Sequence, residues 1–231
     1  MNTFTPPTHW MMTQTWNHVL FVHFPLKPDL LRRLIPQPLQ LDTYQGDAWV
    51  SFVPFAITDM RLHYLPPIPF TTQFLQVNLR TYVKYKEKRG IYFISLDANN
   101  HLATLSARTF FYLPYKFARI TMEHLNLCNR FTSHRDKDTI FTAYFRPSGS
   151  VFCSTPGSLE EWLTERYSQF IVKGKQVYEG KLVHPRWLLQ QADCGLSGNW
   201  ISSFHPSLSE IEPICHYSEK QTAWMMIPKK V

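Results

Sequence analysis

The sequence predicts a β-rich α+β domain whose antiparallel sheet is curled or closed, accompanied by a few short helices. Three observations predict it. Residues 16–24 (WNHVLFVHF) are aromatic and β-branched and stop at Pro25, and residues 48–57 form one continuous apolar run. Residues 76–86 alternate, with Gln76, Asn78, Arg80, Tyr82, Lys84 and Lys86 on one face and Val77, Leu79, Thr81, Val83 and Tyr85 on the other. Helix signals, by contrast, are short and closely bounded by proline or capping residues.

The elements follow in order. After the first strand, residues 28–35 read as a short helix opened by Pro28 and stopped by Pro36. The apolar run 48–57 suits a strand buried on both faces, and the Pro-rich stretch 64–69 a stiff loop. The strand 76–86 turns at a basic tip, residues 87–90, into a return strand over 91–97. A four-residue loop there sets Lys86 against Ile91 and Arg80 directly across from Asp97. Asn100 can cap a helix that ends before Pro114, and residues 146–157, with Pro, Ser and Gly, read as a second loop. Ser158 and Glu161 form a capping box. Residues 169–183 read as a hairpin about Gly174-Lys175, and residues 223–227 as a last strand.

Composition narrows the class. With 231 residues, 44% of them hydrophobic and 15% aromatic, one core is feasible without metal or disulfide staples, and disorder and collagen are excluded. Eight glycines against 17 prolines disfavour a Gly-rich nucleotide fold. Neither a repeat nor a long linker divides the chain, so residues 1–231 are expected to form a single domain. Residues 1–16 lack the basic and apolar regions of a secretory signal, and no stretch approaches about 18 apolar residues, so a cytoplasmic protein without membrane contact is expected. Cys128, Cys153, Cys194 and Cys215 are scattered and expected to be reduced and mostly buried. The ten histidines form neither HxH nor HExxH; His18 and His23 fall on opposite faces of their strand; no metal or cofactor is expected.

Several residues carry chemistry. Gln76, Asn78, Arg80 and Tyr82 suit the lining of a polar cavity better than a solvated face of Lys and Glu, although a wet outer strand would alternate in the same way. Residues 80–89 interleave basic and aromatic side chains as single-strand binders do, but no nucleic-acid motif accompanies them, and a solvated tip that protects a sheet edge is the simpler reading. Five of the 24 basic residues, Arg80, Lys84, Lys86, Lys88 and Arg89, fall within this one hairpin, so the net charge of +7 points to solubility more than to a polymeric partner. GxSxG is missing, which removes the usual serine nucleophile elbow. Glu165 and Arg166 sit at a helix-to-strand junction as an ion pair or a pocket wall. Lys116 follows an aromatic helix end, where an amine in apolar surroundings loses its proton and can form a Schiff base. His184 can act as acid or base, or simply pack.

Read together, residues 16–24, LQLD at 39–42, GDAWV at 46–50, VPF at 53–55 and NLRTYV at 78–83 resemble the bacterial YqjF-like family of unknown function. So do FISLDA at 93–98, LPY at 113–115, LTERY at 163–167 and HPRW at 184–187, so the resemblance runs in order from about residue 16 to residue 227. It implies a cytoplasmic domain related in fold to acetoacetate decarboxylase, a curled β-barrel around a small cavity. That enzyme carries two lysines after a helix-end proline, the first forming the Schiff base and the second lowering its pKa. Here Pro114 is followed by Tyr115 and Lys116, so a phenol occupies the nucleophile position, and Gln76 stands where a glutamate is usual. The resemblance thus implies a domain that binds a small carboxylate or carbonyl compound, with no reaction assigned. Gln76, Asn78, Arg80, Tyr115 and Lys116 would line the cavity, with Asp97, Glu165, Arg166 and His184 as further ligand-binding candidates. The alternatives are an enzyme acting on small keto acids through Lys116 and Tyr115, and an anion or nucleic-acid binder acting through hairpin 80–90. Homo-oligomerisation is left open.

Overall fold

A computed structural model describes residues 4–66, 72–137 and 139–231. The expected stiff loop over 64–69 falls partly outside the described residues. In chain order the strands are β1 Met12–Leu26, β2 Gln40–Leu41, β3 Ala48–Leu62, β4 Phe74–Tyr85, β5 Lys88–Ala98, β6 Tyr115–Phe117 and β7 Arg119–His124. They continue with β8 Asn129–Asp136, β9 Thr139–Phe152, β10 Ser168–Lys173, β11 Gln176–Val183, β12 Leu189–Ser197, β13 Ile214–Met225 and β14 Lys229–Lys230. The helices are α1 Pro28–Arg32, α2 His101–Phe111, α3 Leu159–Thr164 and α4 Trp200–Phe204, followed by a 3-10 turn over Pro206–Glu210.

The strands make one sheet in the order β14-β11-β10-β5-β4-β3-β1-β13-β12-β9-β8-β7, with β2 on β4 and β6 on β5. The sheet curls until β11 also pairs with β13, through Leu182 opposite Met225 and Val183 opposite Trp224. Its two central faces are both covered. On the apolar face Val22, Phe24, Phe52, Val77 and Leu79 pack against Phe131, Phe141 and Phe145 of β8 and β9, and Trp200 of α4 closes the same cluster. Phe52 stacks on Phe141 at 5.6 Å between ring centres and meets Trp200 edge-on at 5.5 Å. Each such buried ring contributes about 1.5–3 kcal/mol by removal from water, so this face holds the domain together. The opposite face carries the β4 residues with polar side chains.

Local chemistry explains where the sequence reading holds. Asn100 accepts from the Ala103 N–H and opens α2, and Ser158 accepts from the Glu161 N–H and opens α3. Lys173 opposes Gln176, so Gly174-Lys175 is the two-residue turn expected, with Gly174 at φ +58°.

Elsewhere the structure corrects it. The β4–β5 turn has two residues, Lys86 and Glu87, because Lys86 takes φ +53°, and β5 already begins at Lys88. Tyr82, not Lys86, opposes Ile91, and after a bulge Arg80 opposes Phe93 while Asp97 opposes Val77. Residues directly opposite share a face, so Asp97 lies on the Val77 side and Arg80 on the other. The expected Arg80–Asp97 pair does not form. Residues 146–152, expected as loop, continue β9: Arg146 opposes Asp193 and Pro147 opposes Ala192 of β12, while pairing with β8 has ended at Phe145. Pro147 falls where β9 has lost one of its two neighbours, so the strand is an edge there and tolerates a residue without an N–H. The last long strand starts at Ile214 rather than 223, and α4 had no sequence signal. The cysteines also differ from expectation. Cys194 and Cys215 on neighbouring strands are joined as a disulfide, Cys153 is exposed and Cys128 half-buried.

Candidate functional site

The alternating strand β4 delivers Gln76, Asn78, Arg80 and Tyr82 to one face, and all four are buried. The wet-strand reading therefore fails, because α3 and the loop that follows β11 cover what would have been the solvated side. Trp162 and Leu163 of α3 pack with Tyr82, and Trp187 packs with Phe21 and Phe55.

Tyr115, the first residue of β6, reaches this face beside Ala98 and Phe74. Its hydroxyl donates to Gln76 Oε1 at 2.8 Å, and Gln76 Nε2 donates to Asn78 Oδ1 at 2.6 Å. Burial pushes the Tyr115 phenol well above its usual range, against the smaller effect of the Gln76 bond, so it stays a neutral donor. Gln76 is the residue that makes this chain possible, since a neutral amide both accepts from a phenol and donates onward.

Arg80 lies two residues further along. It is 8% exposed, its guanidinium sits 5.5 Å from the Phe21 ring centre and 5.9 Å from that of Tyr82, and Nη2 donates to the Leu163 carbonyl at 3.3 Å. Arg80 Nε has no hydrogen-bond partner, and among the described residues no carboxylate pairs with this cation. His184 is reached from Arg80 through Phe21 and Trp187, with ring centres 4.9 Å apart between those two and 5.2 Å between Trp187 and His184. His184 Nδ1 donates to the Pro185 carbonyl at 2.6 Å, and burial holds its pKa below the usual value.

The other candidates lie elsewhere. Lys116 follows Tyr115 in a strand, points to the opposite side and is exposed, so it does not join the buried group. No lysine among the described residues is buried. Asp97, with no exposure, is held on the apolar face by Arg135, whose Nε and Nη2 donate to its two oxygens at 2.9 and 2.7 Å. Burial still raises the Asp97 pKa, with Arg135 opposing. Arg166 pairs with Asp42 rather than with Glu165: Nη1 meets Asp42 Oδ2 at 2.8 Å and Nε donates to the Trp162 carbonyl at 2.6 Å. Glu165 accepts from the Trp187 backbone N–H at 3.1 Å and from the Tyr167 hydroxyl. The hairpin cations are engaged too, Lys84 with Asp42 at 3.0 Å and Lys88 with Glu179 at 2.7 Å.

The structure adds residues the sequence reading missed. His23 of β1 opposes Ser51 of β3, and Ser51 opposes Arg80, so these three form one row across three strands. His216 of β13 opposes Phe21 one step away. The signal for Ser51 was present, since it is the one hydroxyl within the apolar run 48–57. Nothing in the sequence marked His216. Separately, a surface groove of about 570 Å³ runs along His9, Trp10, Tyr64, Lys181, Met226 and Lys229, and shares no residue with the β4 group.

Comparison with known proteins agrees with this architecture. The chain is 45% identical over 223 residues to the uncharacterized protein YqjF of Bacillus subtilis, covering 95% of this chain and 92% of that protein. Among solved structures, acetoacetate decarboxylase from Legionella pneumophila is similar with a TM-score of 0.66 at 16% identity, covering 100% of this chain and 92% of that one. The enduracididine biosynthesis enzyme MppR, complexed with pyruvate, is similar with a TM-score of 0.66 at 11% identity, covering 98% and 91%. At such identities these two structures establish the fold alone. The signature of DUF2071, a family described as uncharacterized conserved proteins, matches residues 13–222, and with its curled, acetoacetate decarboxylase-like sheet this chain belongs to that family.

Proposed function

We propose that the chain binds a small carboxylate or carbonyl compound at the buried face of β4, with Arg80 receiving the negative charge and the amide N–H groups of the Tyr115–Gln76–Asn78 chain donating hydrogen bonds to its oxygens. One observation carries the reading. Among the described residues, Arg80 is a buried cation that faces no carboxylate, with an unpartnered Nε and one long bond to a carbonyl. Buried charges are ordinarily paired, because the desolvation penalty is several kcal/mol per ion, on the order of what a well-placed counter-ion returns. A carboxylate fits the guanidinium fork in a bidentate way that a neutral ligand does not. Gln76, where a glutamate is usual in the resembling enzymes, leaves the site without a negative charge that would repel such a ligand. The pyruvate held by MppR is a ligand of this size and charge.

The enzyme reading through Lys116 has less support, since that amine is exposed and away from Arg80. The test is thermal denaturation with pyruvate, acetoacetate and acetate, against acetone and methylamine as controls. A ligand at 100 times its Kd stabilises by about 2.7 kcal/mol, which in a domain of this size raises Tm by roughly 5–10 °C. If no carboxylate raises Tm, or acetone and methylamine do so equally, the reading fails.

A further inference from the structure

The surface groove of about 570 Å³, which shares no residue with the β4 group, has the room a small molecule needs, since ligand sites ordinarily measure about 300–1,000 Å³. Its two walls differ in chemistry. One is a column of rings: Trp10 and His63 stack with ring centres 4.1 Å apart, and His63 and Tyr64 stack at 3.7 Å. The backbone fixes this column, because the His63 N–H donates to the Met11 carbonyl at 2.9 Å and His63 Nδ1 donates to the Trp10 carbonyl at 2.7 Å. Tyr64 ends the column at 90% exposure, so one face of its phenol lies on His63 and the other is open. Tyr64 also takes φ +62°, a region rare for a bulky side chain that costs about 1–3 kcal/mol. That cost brings no burial of the phenol in return.

The other wall is cationic. Lys229 of β14 opposes Glu179 of β11, and Lys181 lies two residues further along β11, so the three side chains share one face. Glu179 is already satisfied, accepting from Lys88 Nζ and from the Ser168 hydroxyl, each at 2.7 Å. Lys181 and Lys229 are exposed, and among the described residues neither has an ion-pair partner. Lys230 brings the lysines lining the groove to four, so with Glu179 and a carboxylate at Val231 counted against them an excess of two remains.

We propose that this groove binds a nucleoside monophosphate, its base stacked on the open face of Tyr64 and its phosphate received by Lys181 and Lys229. Neither wall alone selects that ligand. An aromatic platform accepts any base, because every base has a π face, and lysine meets phosphate as a point charge. A molecule that satisfies both walls at once is a planar ring joined to an anion through a short spacer, which describes a nucleotide. A phosphate monoester carries about −1.5 to −2 at pH 7, which matches the excess of two cations. Because the ring column is held by backbone contacts before any ligand arrives, little ordering remains to oppose binding. The groove is independent of the carboxylate site proposed at β4.

The experiment is titration calorimetry of the full chain with AMP, adenosine and ribose 5-phosphate at low and at high salt. AMP is expected to bind more tightly than either fragment, and high salt is expected to weaken AMP more than adenosine, since exposed charges are screened. Tyr64→Ala is expected to weaken AMP about 5–150-fold, the share of one base stacked on an aromatic ring, and Tyr64→Phe to restore it. The double variant Lys181→Gln, Lys229→Gln is expected to bring AMP down to the affinity of adenosine and to flatten the salt dependence. All three positions are exposed, so these variants keep the fold, and each is expected to retain any rise in Tm caused by pyruvate. Absence of AMP binding overturns the proposal, as does AMP binding unchanged in Tyr64→Ala, or either fragment binding as tightly as AMP. An oligoadenylate that binds more tightly than AMP through the same residues assigns the groove to a single strand and overturns the mononucleotide reading.

Discussion

Replacing Arg80 by methionine separates a ligand-binding cation from a structural one, because the two make opposite predictions for the ligand-free protein. Arg80 is 8% exposed and among the described residues has no carboxylate partner, so its burial carries a desolvation penalty of several kcal/mol. Against this stand two aromatic faces at 5.5 and 5.9 Å, worth about 0.5–1 kcal/mol each. The bond to the Leu163 carbonyl adds about 1.5 kcal/mol, the low end for a charged donor, since 3.3 Å is long. Methionine keeps much of the stem's volume and can fill an irregular space. The balance favours Arg80→Met by about 1–2 kcal/mol, a rise in Tm of roughly 2–8 °C. The same variant should lose the stabilisation by pyruvate. Stability that is traded for a binding charge has this double signature. Calorimetry with and without pyruvate reads both. An Arg80→Met protein that melts several degrees below wild type would show that Arg80 holds the fold, as Arg166 does through Asp42, and the reasoning would be wrong.

Two further outcomes follow from the same face. Burial is the first cause that lowers the pKa of His23, His184 and His216, so the unfolded chain binds protons that the folded chain refuses below the unfolded value of 6.5. Stability is therefore full above pH 6.5 and falls as pH drops toward the folded values; between pH 7.5 and 5.5 urea denaturation should register a loss of about 2–4 kcal/mol, up to about 1.4 for each histidine, and a flat profile would mean that these rings are charged in the fold. Borohydride reduction in the presence of pyruvate should leave the protein's mass unchanged, since no lysine among the described residues is buried beside Arg80, and a single stoichiometric adduct at Lys116 would restore the Schiff-base reading.

How much was legible depended on whether a signal was local. The caps at Asn100 and Ser158 and the Gly174-Lys175 turn depend on a few neighbouring residues, and all three were read correctly. The 86–87 turn was misread because a non-glycine residue, Lys86, adopts a positive φ that the sequence does not announce. That one shift moved Asp97 to the other face and gave it to Arg135, a residue 38 positions away that no spacing rule connects to it. Tyr115 and Lys116 are adjacent in sequence, and only strand geometry sends one inward and the other to water.

The amino-acid pattern by itself determined a strand-rich domain and the alternation that selects Gln76, Asn78, Arg80 and Tyr82 for one face. Alternation says which residues share a face, because side chains in a strand point to opposite sides with a period of two. It does not say what covers that face. The curl of the sheet, with Trp162 and Leu163 laid over Tyr82 of β4 and Trp187 over Phe21 of β1, turned a polar face into a buried one and, among the described residues, left Arg80 without a counter-charge. The meeting of His23, Ser51 and Arg80 was likewise decided by register between strands far apart in the chain, which depends on long-range pairing that no local window contains.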